Sequence, residues 1–185
     1  MVITNKIDDL GEIWMAEEHF ILFKEIISKY KENAALLEIG SYKGRSAIYF
    51  LQNNPHIELT CLDNWKHGGK KEFLTNIERY NVVNRIKIIE DDSTNVKKYF
   101  SNKSLDFIYL DGSHQESDVY RDLLLCSVLL KKNGVLIGDD WQKQSVLNAV
   151  KKTVSEGVYK LNWHKKYIFS LSTNIDLRPN DLCFL

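Results

Sequence analysis

The run Leu36-Leu37-Glu38-Ile39-Gly40-Ser41-Tyr42-Lys43-Gly44-Arg45-Ser46 constrains the fold of this chain more than any other stretch. A short apolar segment closes on an acid, turns through one glycine, and meets a second glycine four residues on, where a helical pattern begins. Such a strand, glycine turn and helix start points backbone N–H groups and a helix N-terminus at a ligand. The spacing is not Gly-x-Gly-x-x-Gly, whose three close glycines let the backbone approach a pyrophosphate. Glu38 stands where a pyrophosphate would need room, and its charge would repel one. The loop is expected to suit a ligand carrying a positive amino group.

From Leu36 onward, short apolar runs alternate with longer amphipathic ones. Strand-type runs fall at Ala35–Ile39, Ile57–Leu62, Ile86–Ile89, Leu105–Leu110, Val135–Ile137, Val158–Trp163 and Tyr167–Leu171. Helical stretches are expected at Gly44–Gln52, Lys70–Tyr80, Asn95–Phe100, Ser117–Lys132 and Gln144–Glu156. This alternation predicts an α/β fold: a Rossmann-like, doubly wound, seven-stranded sheet, mostly parallel, with helices on both faces. Only His164-Lys165-Lys166 separates the last two strand runs, too few residues for a crossover helix, so that pair is expected to be an antiparallel C-terminal hairpin. In Ser117–Lys132 the residues Val119, Leu123, Cys126 and Leu130 form one inward stripe. Lys131, Lys132, Asn133 and Gly134 read as its positively charged end and glycine stop. A further helix, about Met15–Tyr30, precedes the alternating unit, with Phe20, Phe23, Ile27 and Tyr30 on its buried side. It is expected to cover a sheet edge or to close over a ligand.

The 185 residues suit one domain, divided as an N-terminal helical extension over 1–34, a Rossmann-like core over 35–172 and a tail over 173–185. Basic and acidic residues balance at 25 each with no block of one sign, which argues against a nucleic-acid partner. No apolar run is long enough to span a bilayer, and Met1–Lys6 shows no signal-peptide pattern, so the expected location is cytoplasmic, away from membranes. Cys61, Cys126 and Cys183 are far apart and odd in number, the pattern of reduced thiols.

In an open parallel sheet, ligands bind beyond the carboxyl ends of the strands. Every one of the first five strand runs ends in acids: Glu38; Asp63, followed by Asn64 and Trp65; Asp91 and Asp92, followed by Ser93; Asp111, followed by Gly112, Ser113 and His114; and Asp139 with Asp140, followed by Trp141. Asp63, 19 residues past Gly44, can accept both hydroxyls of a ribose. Asp92 and Ser93 can accept from an adenine amino group or cap the next helix. S-adenosylmethionine has a ribose and adenine, carries an ammonium and a sulfonium, and has no phosphate. It is the cofactor these residues suit best. Asp111, Asp139 and Asp140 come together if the fourth and fifth strands are neighbours. Three such carboxylates suit a hard divalent cation such as Mg2+, unless Asp139 or Asp140 serves only to cap a helix. His114, in the same loop, can take a proton from a hydroxyl if its pKa is near neutral. His19 and His164 have no comparable residues around them.

Three segments resemble class I S-adenosylmethionine-dependent methyltransferases. Leu36–Ser46 resembles their first motif, Asp106-Phe107-Ile108-Tyr109-Leu110-Asp111-Gly112-Ser113-His114 their fourth-strand motif, and Gly134-Val135-Leu136-Ile137-Gly138-Asp139-Asp140-Trp141 their fifth. The likeness runs from about Trp14 to Trp163. It is greatest to a bacterial subgroup that includes sugar and macrolide O-methyltransferases, and more distant to catechol O-methyltransferase. By position, the resemblance implies that Glu38, Gly40, Ser41 and Gly44 line the methionine part of the cofactor. Asp63 and Trp65 would take the ribose side, and Asp92 and Ser93 the adenine. Asp111, Asp139 and Asp140 would be metal ligands, with Asp111 also beside the cofactor. His114 would be the base, where catechol O-methyltransferase has its catalytic lysine. The chain is short where such enzymes build a substrate lid, so the acceptor site is expected to be open or completed by another subunit of a homo-oligomer.

The resulting expectation is Mg2+-dependent O-methylation of a small hydroxylated acceptor, a sugar, polyketide glycoside or catechol. The alternatives are an NAD(P)-dependent oxidoreductase on the same strand–helix plan and a non-catalytic module that binds S-adenosylmethionine.

Overall fold

A computed structural model describes residues 17–173. The elements run α1 (Glu17–Ile27), β1 (Ala35–Ile39), α2 (Arg45–Asn53), β2 (Glu58–Asp63), α3 (Lys70–Arg79), β3 (Ile86–Glu90), β4 (Leu105–Leu110), α4 (Glu116–Leu129), β5 (Leu130–Gly138), α5 (Gln144–Ser155), β6 (Tyr159–His164) and β7 (Phe169–Thr173). The seven strands form one sheet in the order β3-β2-β1-β4-β5-β7-β6. Neighbours among the first five are parallel. β7 runs antiparallel to both β5 and β6, so the expected hairpin is present.

β1 and β4 lie at the centre of the sheet and are covered on both faces, so their sequences are almost continuously apolar. The two-residue period of the strand sorts their side chains. Leu36, Phe107 and Tyr109 enter the core under α1, α2 and α3, with Phe50 and Phe73. Leu37, Ile108 and Leu110 enter the opposite core under α4 and α5, with Leu123, Cys126, Leu136 and Ala149. Helix α1 belongs to the first layer. Its Phe23 packs edge-on against Phe50 and Tyr109, at centroid distances of 4.9 and 5.0 Å. It therefore lies on a face of the sheet, not along an edge.

Three boundaries depart from expectation. The helix read as reaching Lys132 stops at Leu129, because Leu130 turns at once into extended backbone and pairs with Leu105. Lys131 then reaches Asp106 at 2.7 Å as part of β5. Gly134 is no helix stop: a β-carbon there would lie 2.9 Å from the Leu130 side chain and 3.0 Å from the Leu105 carbonyl oxygen, so it allows close packing within the strand. The stretch expected as a helix over Asn95–Phe100 is a 3₁₀ turn over Ser93–Lys98, capped by Asp92. Residues Met15 and Ala16, the tail beyond Thr173 and Cys183 lie outside the described residues; Cys61 and Cys126 are free and buried. Among the described residues no helix is long and apolar enough to cross a membrane.

Candidate active site

The carboxyl ends of β1, β2, β4 and β5 meet along one edge of the sheet. The glycine loop after β1 is held from below by Glu38, which is fully buried. Ser41 donates to its carboxylate at 2.6 Å, Cys61 Sγ contacts it at 3.4 Å, and Ser46 donates from the first turn of α2. Burial raises the Glu38 pKa to about 7, against the opposing pull of these donors. Glu38 thus lies behind the loop, tying Ser41 of the loop to Ser46 of α2. The loop N–H groups of Gly40, Tyr42 and Gly44 are already donated to Leu62 O, Asp63 Oδ2 and Ser41 O. Gly40 has φ +90°, and a β-carbon there would sit 2.0 Å from the Asp111 carbonyl oxygen. Close approach of the β4 end explains this glycine better than room for a ligand does, and Asp111 N–H in turn donates to Ile39 O at 2.9 Å.

Asp63 fixes the next wall. Its Oδ2 accepts from Tyr42 N–H at 2.8 Å and its Oδ1 from Trp65 N–H at 2.7 Å, which leaves each oxygen further acceptor capacity. Trp65 is buried; its indole donates to the Tyr42 carbonyl at 2.8 Å and packs on Phe73. It supports the loop from beneath. Asp92 caps the 3₁₀ turn by accepting from Thr94 N–H at 3.0 Å and also accepts from Asn64 at 3.2 Å. The Thr94 backbone bond holds its pKa below the usual carboxylate value. Ser93 donates at 2.8 Å to Asp122, a carboxyl on α4 that burial pushes up to about 6. Asp122 and Tyr42 were not singled out in the sequence, because each stands within an ordinary amphipathic or loop pattern.

The β4 and β5 ends carry the acids. The carboxylates of Asp111 and Asp140 and the imidazole of His114 each place a ligand atom within 4.8 Å of the other two. His114 Nε2 lies 2.5 Å from Asp140 Oδ2 and 3.9 Å from Asp111 Oδ1. Asp140 is a non-glycine residue at φ +63°, a conformation that side chains seldom adopt and that here aims its carboxylate into the cluster. Lys143, three residues on in the chain, also reaches Asp140, at 2.8 Å. Burial works to raise Asp140, but the hydrogen bonds and charges of His114 and Lys143 bring it down to about 2. Burial raises Asp111, helped by Asp139 and Asp140 and opposed by His114. His114 does not keep the near-neutral pKa expected of it: the carboxylates of Asp111, 3.9 Å away, and Asp140, at 2.5 Å, raise it to about 9, so it is a cation in the free protein.

Asp139 lines the same pocket as Asp111 and His114 of this group. Its Oδ2 accepts from Tyr109 Oη at 2.9 Å, and its Oδ1 from Asp140 N–H at 2.7 Å and His19 Nε2 at 3.0 Å. His19, on α1, is 2% exposed and stacks on Tyr167. It joins a constellation that its sequence neighbours did not reveal, since the partner lies 120 residues away. His164 stacks on Trp141 at 4.5 Å, a packing role.

The parallel sheet with a terminal hairpin, its glycine loop and its acidic strand ends define a class I S-adenosylmethionine-dependent methyltransferase fold. The chain belongs to a methyltransferase domain family, whose model matches residues 37–141. Three solved structures share the fold. An S-adenosylmethionine-dependent O-methyltransferase from Thermotoga maritima has 13% identity and a TM-score of 0.73, over 93% of this chain and 71% of that one. An O-methyltransferase from Bacillus cereus in complex with SAH has 16% identity and a TM-score of 0.68, over 90% and 86%. A SAH-bound methyltransferase from Podospora anserina has 15% identity and a TM-score of 0.70, over 92% and 82%. An uncharacterised protein of Acanthamoeba polyphaga mimivirus is 25% identical over 154 residues, covering 75% of this chain and 67% of its own length. Membership of a methyltransferase family decides against the nicotinamide oxidoreductase.

Proposed function

We propose that this protein transfers the methyl group of S-adenosylmethionine to a hydroxyl oxygen of a small acceptor, with a divalent cation, Mg2+ or a relative, at Asp111 and Asp140. The observation that carries this reading is the convergence of Asp111, His114 and Asp140 beside the glycine loop. A loop whose own N–H groups are largely spent internally is a poor phosphate cradle. A buried acid behind it favours a cationic ligand. The ribose would lie against Asp63, and the adenine near Asp92 and Ser93.

The donor set suits a divalent cation, since the carboxylates of Asp111 and Asp140 offer oxygen ligands at close spacing. Asp139, fixed behind Asp140, completes the acidic set. When bound, such a cation lowers the pKa of an acceptor hydroxyl and orients its oxygen. With a cation held there, the negative charge around His114 would be neutralised and its proton would pass to solvent, leaving a neutral imidazole. Its imidazole then accepts the proton of the acceptor hydroxyl. The loop and Asp63 hold the donor so that acceptor oxygen, methyl carbon and sulfur lie in line, and this positioning supplies most of the rate.

Replacing Asp111 with Ala is expected to abolish methyl transfer across a panel of catechols and hydroxylated glycosides while calorimetric binding of S-adenosylhomocysteine stays within a few-fold of wild type. Full activity in this variant would refute the assignment. Stoichiometric binding by the wild type with no transfer to any acceptor would favour a non-catalytic binding module instead.

A further inference from the structure

We propose that His19, on the N-terminal helix, is a positioning residue for the acid cluster, acting through Asp139 to set the direction of Asp140. The inference rests on the proposed function and concerns a residue outside the methyltransferase motifs. His19 is fully enclosed, yet its Nε2 lies 3.0 Å from Asp139 Oδ1. The same oxygen accepts the Asp140 N–H at 2.7 Å. That N–H belongs to the residue at φ +63° whose carboxylate meets His114 and Lys143. A left-handed aspartate persists only where its surroundings hold it there. Here the Asp139 carboxylate is the clamp on its N–H. Tyr109 secures the second oxygen of Asp139 at 2.9 Å and His19 the first. The ring of His19 is itself set by stacking on Tyr167, at 5.6 Å and 19°, and by edge contact with Phe23 at 6.0 Å. Phe23 is anchored in the core beneath α1. Docking of α1 is thereby tied to the geometry of the site, a link between the extension and the catalytic edge that runs through one imidazole.

The geometry separates two roles for this ring, packing and hydrogen bonding, and two substitutions divide them. His19→Phe keeps the stacked ring and removes the donor; His19→Gln keeps a donor near Nε2 and removes the ring. Full-length variants are titrated with Mn2+, read by electron paramagnetic resonance, and with S-adenosylhomocysteine, read by calorimetry. The expected result is a loss of Mn2+ affinity of about 10-fold in His19→Phe, the lower end of the range for groups bonded directly to metal ligands, because His19 acts one residue further out, through Asp139. Affinity for S-adenosylhomocysteine should stay within about twofold, and His19→Gln should restore Mn2+ binding to within about threefold of wild type. Unchanged Mn2+ affinity in His19→Phe overturns the inference, as does an equal loss in both variants, which would mark a packing role. If His19→Phe does not fold, His19→Asn, whose amide is too short to reach Asp139, takes its place with the same expected loss and the same refutation. Wild-type protein that binds S-adenosylhomocysteine but not Mn2+ overturns this inference and leaves the cofactor assignment standing. Protein that binds neither removes the proposed function itself.

Discussion

Replacing Glu38 with Gln tests the buried acid under the glycine loop. Glu38 is fully buried and its pKa is raised by burial from 4.5 to about 7. In the unfolded chain it ionises near its ordinary value, so between the two pKa values the folded state binds more protons than the unfolded one. Stability then falls as pH rises through this window and levels off above about 7. A shift of this size, at about 1.4 kcal/mol per pKa unit, removes about 2 to 3 kcal/mol between pH 5 and pH 8. Glutamine keeps the shape, and its amide can pair with Ser41 and Ser46, whose hydroxyls rotate to donate or accept. Urea denaturation of wild type and Glu38→Gln at several pH values isolates this contribution, because other titrating groups cancel in the difference. The variant is expected to gain about 2 to 3 kcal/mol on wild type over that pH range. Its affinity should drop more for S-adenosylmethionine, which carries a net positive charge, than for neutral S-adenosylhomocysteine. Parallel pH profiles of the two proteins would show that Glu38 does not titrate in this range and would refute the reasoning.

Other perturbations probe neighbouring parts of the edge. Gly40→Ala places a β-carbon 2.0 Å from the Asp111 carbonyl oxygen at a φ of +90°; it is expected to cost more than about 2 kcal/mol in chemical denaturation and to abolish S-adenosylhomocysteine binding. Lys143→Met removes a cation 2.8 Å from Asp140, and Mn2+ affinity measured by calorimetry is expected to rise several-fold; a fall would mean that Lys143 organises the site. Asp122→Asn removes a buried carboxyl whose pKa burial raises from 3.8 to about 6, while an amide oxygen can still accept from Ser93, so its stability advantage over wild type by thermal denaturation is expected to be largest at pH 8, smaller at pH 5 and lost only below about pH 4.

Much of this arrangement is legible in the residues. β1 and β4 occupy the expected residues because buried central strands leave continuous apolar runs between a polar start and an acid or glycine end. The hairpin follows from a connection too short for a crossover helix, four residues between His164 and Phe169. The acids at the strand ends are placed by the topology alone, since parallel neighbours bring their carboxyl ends together. What stays hidden depends on long-range or backbone detail. The Ser117–Lys132 stripe continues smoothly past Leu129, because Leu130 serves a strand core as readily as a helix face. The pKa of His114 depends on two carboxylates whose approach no spacing encodes. His19 meets Asp139 across 120 residues. Gly40 looks like a cradle glycine, yet the β4 backbone fills the space beside it.

The most direct test of cation-assisted methyl transfer at Asp111 and Asp140 is to follow the methyl group of isotopically labelled S-adenosylmethionine into a hydroxylated acceptor, with Mg2+ or Mn2+ present and again after chelation. Transfer that needs the cation, stops with the chelator and returns on adding metal back is the expected result. Transfer that continues undiminished in the chelator would contradict it.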